Sequence, residues 1–119
     1  MKFWTFATVI YMLLIIYLSH LPQEDISKNI SGLDNFDLLL HFIEYSILGF
    51  LLFQSLENDK LIKIKPLYGG IFIGILFGIS DELHQSFVPG RHYSLMDVIF
   101  DSLGVLFGTS ISSKYFSFS

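Results

Sequence analysis

The amino-acid sequence predicts an all-α protein, a four-helix transmembrane bundle with both termini in the cytoplasm. Three observations predict it. Of 119 residues, 52% are hydrophobic and only 15% charged, with a mean hydropathy of +0.59; a soluble domain of this length needs more polar surface, whereas a lipid-facing exterior does not. The apolar residues gather in four runs, each near the roughly 20 residues that span a hydrocarbon core. The positive charges are divided unevenly between the connections, as in proteins whose orientation is set by lysine and arginine.

The first run, residues 3–18, follows Lys2 and has the look of a secretory leader. It lacks a small-x-small cleavage site, however, and three more apolar runs follow, so it reads as the first span. The second, third and fourth spans are 38–56, 67–80 and 95–111. The first and third are short, and flanking residues, snorkelling or local thinning complete them. The connections are 19–37, rich in Asn, Asp, Ser and Gly with Pro22; 57–66; and 81–94, where Pro89-Gly90 makes a tight turn. The length allows one domain, 1–119, with no internal repeat. Lys2, Lys60, Lys63, Lys65 and Lys114 fall on one side, against Lys28 and Arg91 on the other. Five against two puts the termini and the middle connection inside. All four histidines and nine of the eleven acids then lie at or near the outer face.

Composition excludes some chemistry. With no cysteine, there is no disulfide, thiolate nucleophile or zinc–thiolate site. A net charge of −4 argues against nucleic acid as a partner, and the partner the composition does imply is the lipid bilayer.

The third span carries Gly70, Gly74 and Gly78, small residues at a spacing that lets another helix backbone approach closely in lipid. At about 100° per residue, Asp81 and Gln85 fall inside the arc of these glycines, with Glu82 and His84 flanking it. On the fourth span Asp97, Asp101, Gly104 and Gly108 lie within about 60° of arc. Two acids a turn apart must face the bundle interior or a wet cavity. On the second span Asp37, His41, Glu44 and Tyr45 share a face. Three helices thus carry polar groups toward one place, with Arg91 on the connecting turn. Plainer explanations exist: His41 and Glu44 can mark a polar interfacial helix end, Asp81 and Glu82 can be loop acids, and Asp97 can favour a helix start. Asp101, a turn deeper, has no such account.

The run Asp81-Glu82-Leu83-His84-Gln85-Ser86-Phe87-Val88-Pro89-Gly90-Arg91, followed by Ser94-Leu95-Met96-Asp97-Val98 and Gly104, resembles the VanZ-like family of small bacterial membrane proteins. Tyr17-Leu18-Ser19 at the end of the first span and His41-Phe42 near the start of the second extend the resemblance over nearly the whole chain. It implies a multi-pass helical domain of the bacterial cytoplasmic membrane, and its founding members are associated with low-level resistance to the glycopeptide teicoplanin. Asp101 stands where the family pattern often has Asn, which adds a negative charge to the site. Fold and family do not by themselves fix a function.

The candidate catalytic residues are therefore Asp81, Glu82, His84, Gln85, Arg91 and Asp97, and the candidate binding residues Ser19, His41, Glu44 and Asp101. The favoured expectation is an outward polar site that binds or modifies an envelope lipid or cell-wall component and so affects the response to a glycopeptide. The alternatives are a membrane enzyme working by acid–base or metal-assisted chemistry on a lipid-linked substrate, and a small transporter, which at this length would act as a homo-oligomer. Acids and histidines suit a divalent cation, but no HExxH or comparable spacing is present, so the residues name no cofactor.

Overall fold

The computed structural model describes residues 3–19, 33–58, 63–87 and 95–117, with backbone only for 33–37. They form four helices: α1 (Phe3–Ser19), α2 (Leu33–Asn58), α3 (Pro66–Gln85) and α4 (Leu95–Tyr115). Among the described residues there is no strand. α2, α3 and α4 are long and apolar enough to cross a membrane, and α1 is a shorter apolar helix. Each predicted span lies inside one helix, but the helices run further. α3 continues through Asp81 to Gln85, residues that the apolar pattern assigns to the following connection. Burial of Asp81, Glu82 and Gln85 explains the difference, because a polar side chain that faces the bundle does not end a helix. α2 begins five residues before its apolar run and includes Asp34 and Asp37, acids favoured in the first turns by the helix dipole. α3 starts with Pro66, whose missing N–H is no loss at a helix start.

The side chains are distributed inside out. Phe72 and Leu13 are 65% and 57% exposed, whereas Glu82, Thr109 and Ser112 are 0% exposed. Water would favour the reverse, and hydrocarbon favours this arrangement, since lipid solvates Leu and Phe but leaves Glu and Ser seeking protein partners. The chain is a multi-pass membrane protein. Its buried apolar core is small, built from Ile15, Tyr45, Leu48, Leu52 and Val105 with Tyr11, Met12 and Phe77 packed against it.

Small residues and hydrogen bonds hold the helices together. α2 packs on all three others, α3 also on α4, and α1 lies mainly on α2. The closest approach is between α2 and α4. A Cβ at Gly49 would meet the Val105 carbonyl oxygen at 2.6 Å, and one at Gly104 or Gly108 would run into the Phe42 or Ser46 carbonyl. The α3 glycines are also contacts: Gly74 faces Val105, and Gly78 faces Asp101 and Tyr45. α1 is tied to α2 by Thr8 Oγ1 donating to the Leu51 carbonyl (3.1 Å), by Thr5 and Ser55 (2.7 Å) and by Tyr11 donating to the Glu44 carbonyl (2.8 Å). At the end of the bundle where α2 and α4 finish, buried Gln54 donates to Ser112 Oγ (2.8 Å) and to the Phe116 carbonyl (2.9 Å). The sequence signal for this clamp is a lone Gln in an apolar run.

Candidate functional site

The other end of the bundle gathers the C-terminal turns of α1 and α3 and the N-terminal halves of α2 and α4. Here the register of each helix turns its ionisable groups inward. His41, eight residues into α2, lies between two carboxylates of α4. Its Nδ1 is 2.7 Å from Asp101 Oδ1, and its Nε2 is 3.7 Å from Asp97 Oδ2. The first is a short hydrogen bond; the second is an ion-pair approach beyond hydrogen-bond reach. One helical turn along α2, fully buried Tyr45 donates its hydroxyl to Asp81 Oδ2 of α3 at 3.1 Å. Gly78, a turn before Asp81, leaves room for both: a Cβ there would lie 3.2 Å from Asp101 Cβ and 3.3 Å from the Tyr45 ring. A glycine on α3 therefore lets an acid of α4 and a tyrosine of α2 meet.

The candidates divide clearly. Asp81, Glu82 and Gln85 are buried on the inner face of α3, and Asp101 is 1% exposed. Asp97 is half-buried and faces His41. Glu44 is half-buried. Ser19 is buried at the end of α1, where its hydroxyl donates back to the Ile15 carbonyl at 2.8 Å. His84 is exposed and lines a cleft instead of the inner network. Arg91 lies outside the described residues, as do His20, His92 and Ser94. The group that bridges α2 to the acids of α4 is His41, from a helix remote in sequence. Tyr45, which sequence reasoning placed on the His41 face without assigning it to the site, is the link to Asp81. Its i+4 spacing from His41 was the available signal.

Beside this network a cleft of ≈ 230 Å³ is lined by Ile16, Phe77, Ser80, Asp81 and His84. Its walls are mostly apolar, with a buried carboxylate in the lining. Charge at this end is one-sided. Glu44, Asp81, Glu82, Asp97 and Asp101 lie here, while the described lysines, Lys63, Lys65 and Lys114, lie where α3 begins and α4 ends, at the opposite end. Asp101 Oδ2 is buried with no hydrogen-bond partner among the described residues, a costly state for a carboxylate oxygen removed from water. Among the described residues no three His, Asp or Glu side chains are arranged as a metal-ligand group.

A family model described as VanZ/LLP1 matches residues 4–116. The chain belongs to the VanZ/LLP1 family. The match spans residues from all four helices, and the residues of the His41–Asp101 pair, the Tyr45–Asp81 bond and the cleft of this VanZ/LLP1 protein lie within the matched range. No curated protein and no solved structure matches the chain.

Proposed function

We propose that this VanZ/LLP1 protein lies in the cytoplasmic membrane with both termini inside, and that it binds an amphiphilic envelope component in the cleft between α1 and α3. In doing so it changes the envelope's response to a lipid-anchoring glycopeptide such as teicoplanin. The observation that carries the reading is the cleft: Ile16 and Phe77 offer apolar wall, while Ser80, Asp81 and His84 offer polar contacts, which is how a site for a head group with attached hydrocarbon is built. Support for turnover is weaker. A general base must reach its substrate, and His41, turned between Asp101 and Asp97, is not among the residues that line the cleft. This geometry favours binding.

The test is a susceptible bacterial host expressing the protein. Wild type is expected to lower susceptibility to teicoplanin, and Asp81→Asn to return it to the background level with folded yield unchanged, because the Asn oxygen can still accept the Tyr45 hydroxyl. Full protection by Asp81→Asn would remove the cleft from the mechanism.

Orientation is tested separately. The five-against-two division of Lys and Arg supports cytoplasmic termini. The native chain has no cysteine, so Ser31→Cys and Asn58→Cys each create a single reporter thiol. In intact cells an impermeant maleimide is expected to label the Ser31→Cys variant and spare the Asn58→Cys variant. The opposite pattern would invert the orientation.

A further inference from the structure

Resting on the reading of the cleft as an amphiphile site, we propose that the amphiphile carries a protonated amine, and that its ammonium group sits against Asp81 at the inner side of the cleft. Negative charge is left over at this end of the bundle. Among the residues whose side chains are described, this end of the bundle holds five carboxylates and neither Lys nor Arg. Of the two described imidazoles at this end, His41 is engaged with Asp101 and Asp97, and His84 is exposed in the lining of the cleft. Asp81 receives a neutral hydrogen bond from Tyr45 and, among the described residues, no lysine or arginine lies at this end to pair with it. A second, independent observation lies a turn deeper. Asp101 is 1% exposed, and its Oδ2 has no hydrogen-bond partner among the described residues. That oxygen lies on the side of Gly78, where Tyr45 and α3 close over it, so the interior behind Asp81 is itself negative. A cation beside them stabilises carboxylates withdrawn from water.

The shape of the cleft narrows the class. An inorganic cation would be held by several oxygens and has no use for apolar walls. A phosphate or carboxylate head group would be repelled by the Asp81 side. A primary ammonium on an aliphatic chain meets both requirements: three donors for Asp81 and Ser80, and hydrocarbon against Ile16 and Phe77.

The experiment uses the purified full chain in dodecyl maltoside micelles, titrated calorimetrically with dodecylammonium, ethylammonium and dodecyl phosphate. Dodecylammonium is expected to bind wild type, with ethylammonium and dodecyl phosphate each at least about tenfold weaker. Asp81→Asn is expected to weaken dodecylammonium about tenfold, the difference between a charge-assisted and a neutral contact. Ile16→Trp fills the cleft from a side chain 39% exposed, away from the polar network, and is expected to abolish binding while the protein stays folded. Unchanged dodecylammonium affinity in Asp81→Asn would overturn the proposal. Preference for dodecyl phosphate, lost in Ile16→Trp, would overturn the ammonium assignment but leave the amphiphile cleft standing. No binding of either dodecyl probe to wild type would overturn both. Ethylammonium binding as tightly as dodecylammonium would overturn the amphiphile and leave only an amine site.

Discussion

Gly108→Ala is expected to lose most of the folded protein, although in a helix exposed to water the same change would be favourable. Alanine has the better helix propensity by about 1 kcal/mol. Here the added Cβ would run into the Ser46 carbonyl and lie 2.9 Å from Phe50 N. These are backbone atoms of the facing helix and have no rotamer with which to yield. The helices must separate. Gly104 and Gly49, which make similar approaches to Phe42 and Val105, would lose their contacts as they do. Overpacking of this kind costs about 1–3 kcal/mol in a soluble core, and the upper end is expected where only backbone can move. Gly70→Ala is the control: its Cβ would meet Thr109 Cγ2 at 3.1 Å and Phe53 N at 3.6 Å, so the loss is small and propensity offsets it. Thermal unfolding in detergent, followed by retention of a monodisperse peak, is expected to rank Gly108→Ala far below Gly70→Ala. Equal stability would mean that α2 and α4 do not touch at Ser46.

His41→Leu is expected to be as damaging, for a different reason. Asp101 is buried, and His41 supplies the hydrogen bond to its Oδ1. Without it the carboxylate must draw in water, take up a proton or remain an uncompensated charge. Breaking one side of a buried ion pair costs about 3–5 kcal/mol. Asp101→Asn alone is expected to be mild, because its oxygen can still accept from His41. In the double variant the charge is gone, and more than half of the His41→Leu loss is expected to return. A double-mutant cycle on unfolding in detergent measures this directly. Simply additive losses would show that His41 acts through packing and not through Asp101.

The contrast between these two predictions reflects what the sequence could and could not show. The four helices were legible because a lipid exterior demands nearly uniform apolar runs, and such runs are long and hard to mistake. Their ends were not: Asp81 to Gln85 read as a connection because acids normally end an apolar span, whereas here they face protein. The glycines of the third and fourth spans announced close contacts by their spacing of four, but the partners stayed hidden. Nothing in the spacing says that Gly104 and Gly108 meet the second helix while Gly74 and Gly78 meet side chains of the second and fourth.

The site shows the same division. Depth follows from position along a span, so His41, Asp81, Asp97 and Asp101 could be placed at one level. Rotation of each helix about its axis relative to its neighbours does not follow. Nothing in the spacing pairs His41 with Asp101, 60 residues away in sequence, and Arg91, on the connecting turn, lies outside the described residues. The cleft depends on how α1 leans on α2 and α3, and nothing within 3–18 encodes that.

The most direct measurement of the central claim, that a negatively charged cleft is open to ligand at this end of the bundle, is the charge preference of a thiol placed in it. Ser80 is exposed and lines the cleft, and the chain has no other cysteine to interfere, so Ser80→Cys carries one reporter. Its reaction rates with a cationic and an anionic methanethiosulfonate of similar size are compared with those of a free thiol in the same membranes. A neighbouring carboxylate at an effective dielectric constant of about 20 is expected to favour the cationic reagent by at least about tenfold, and Asp81→Asn in the same background is expected to remove most of that preference. Equal rates for the two reagents, or a preference that survives Asp81→Asn, would contradict the account.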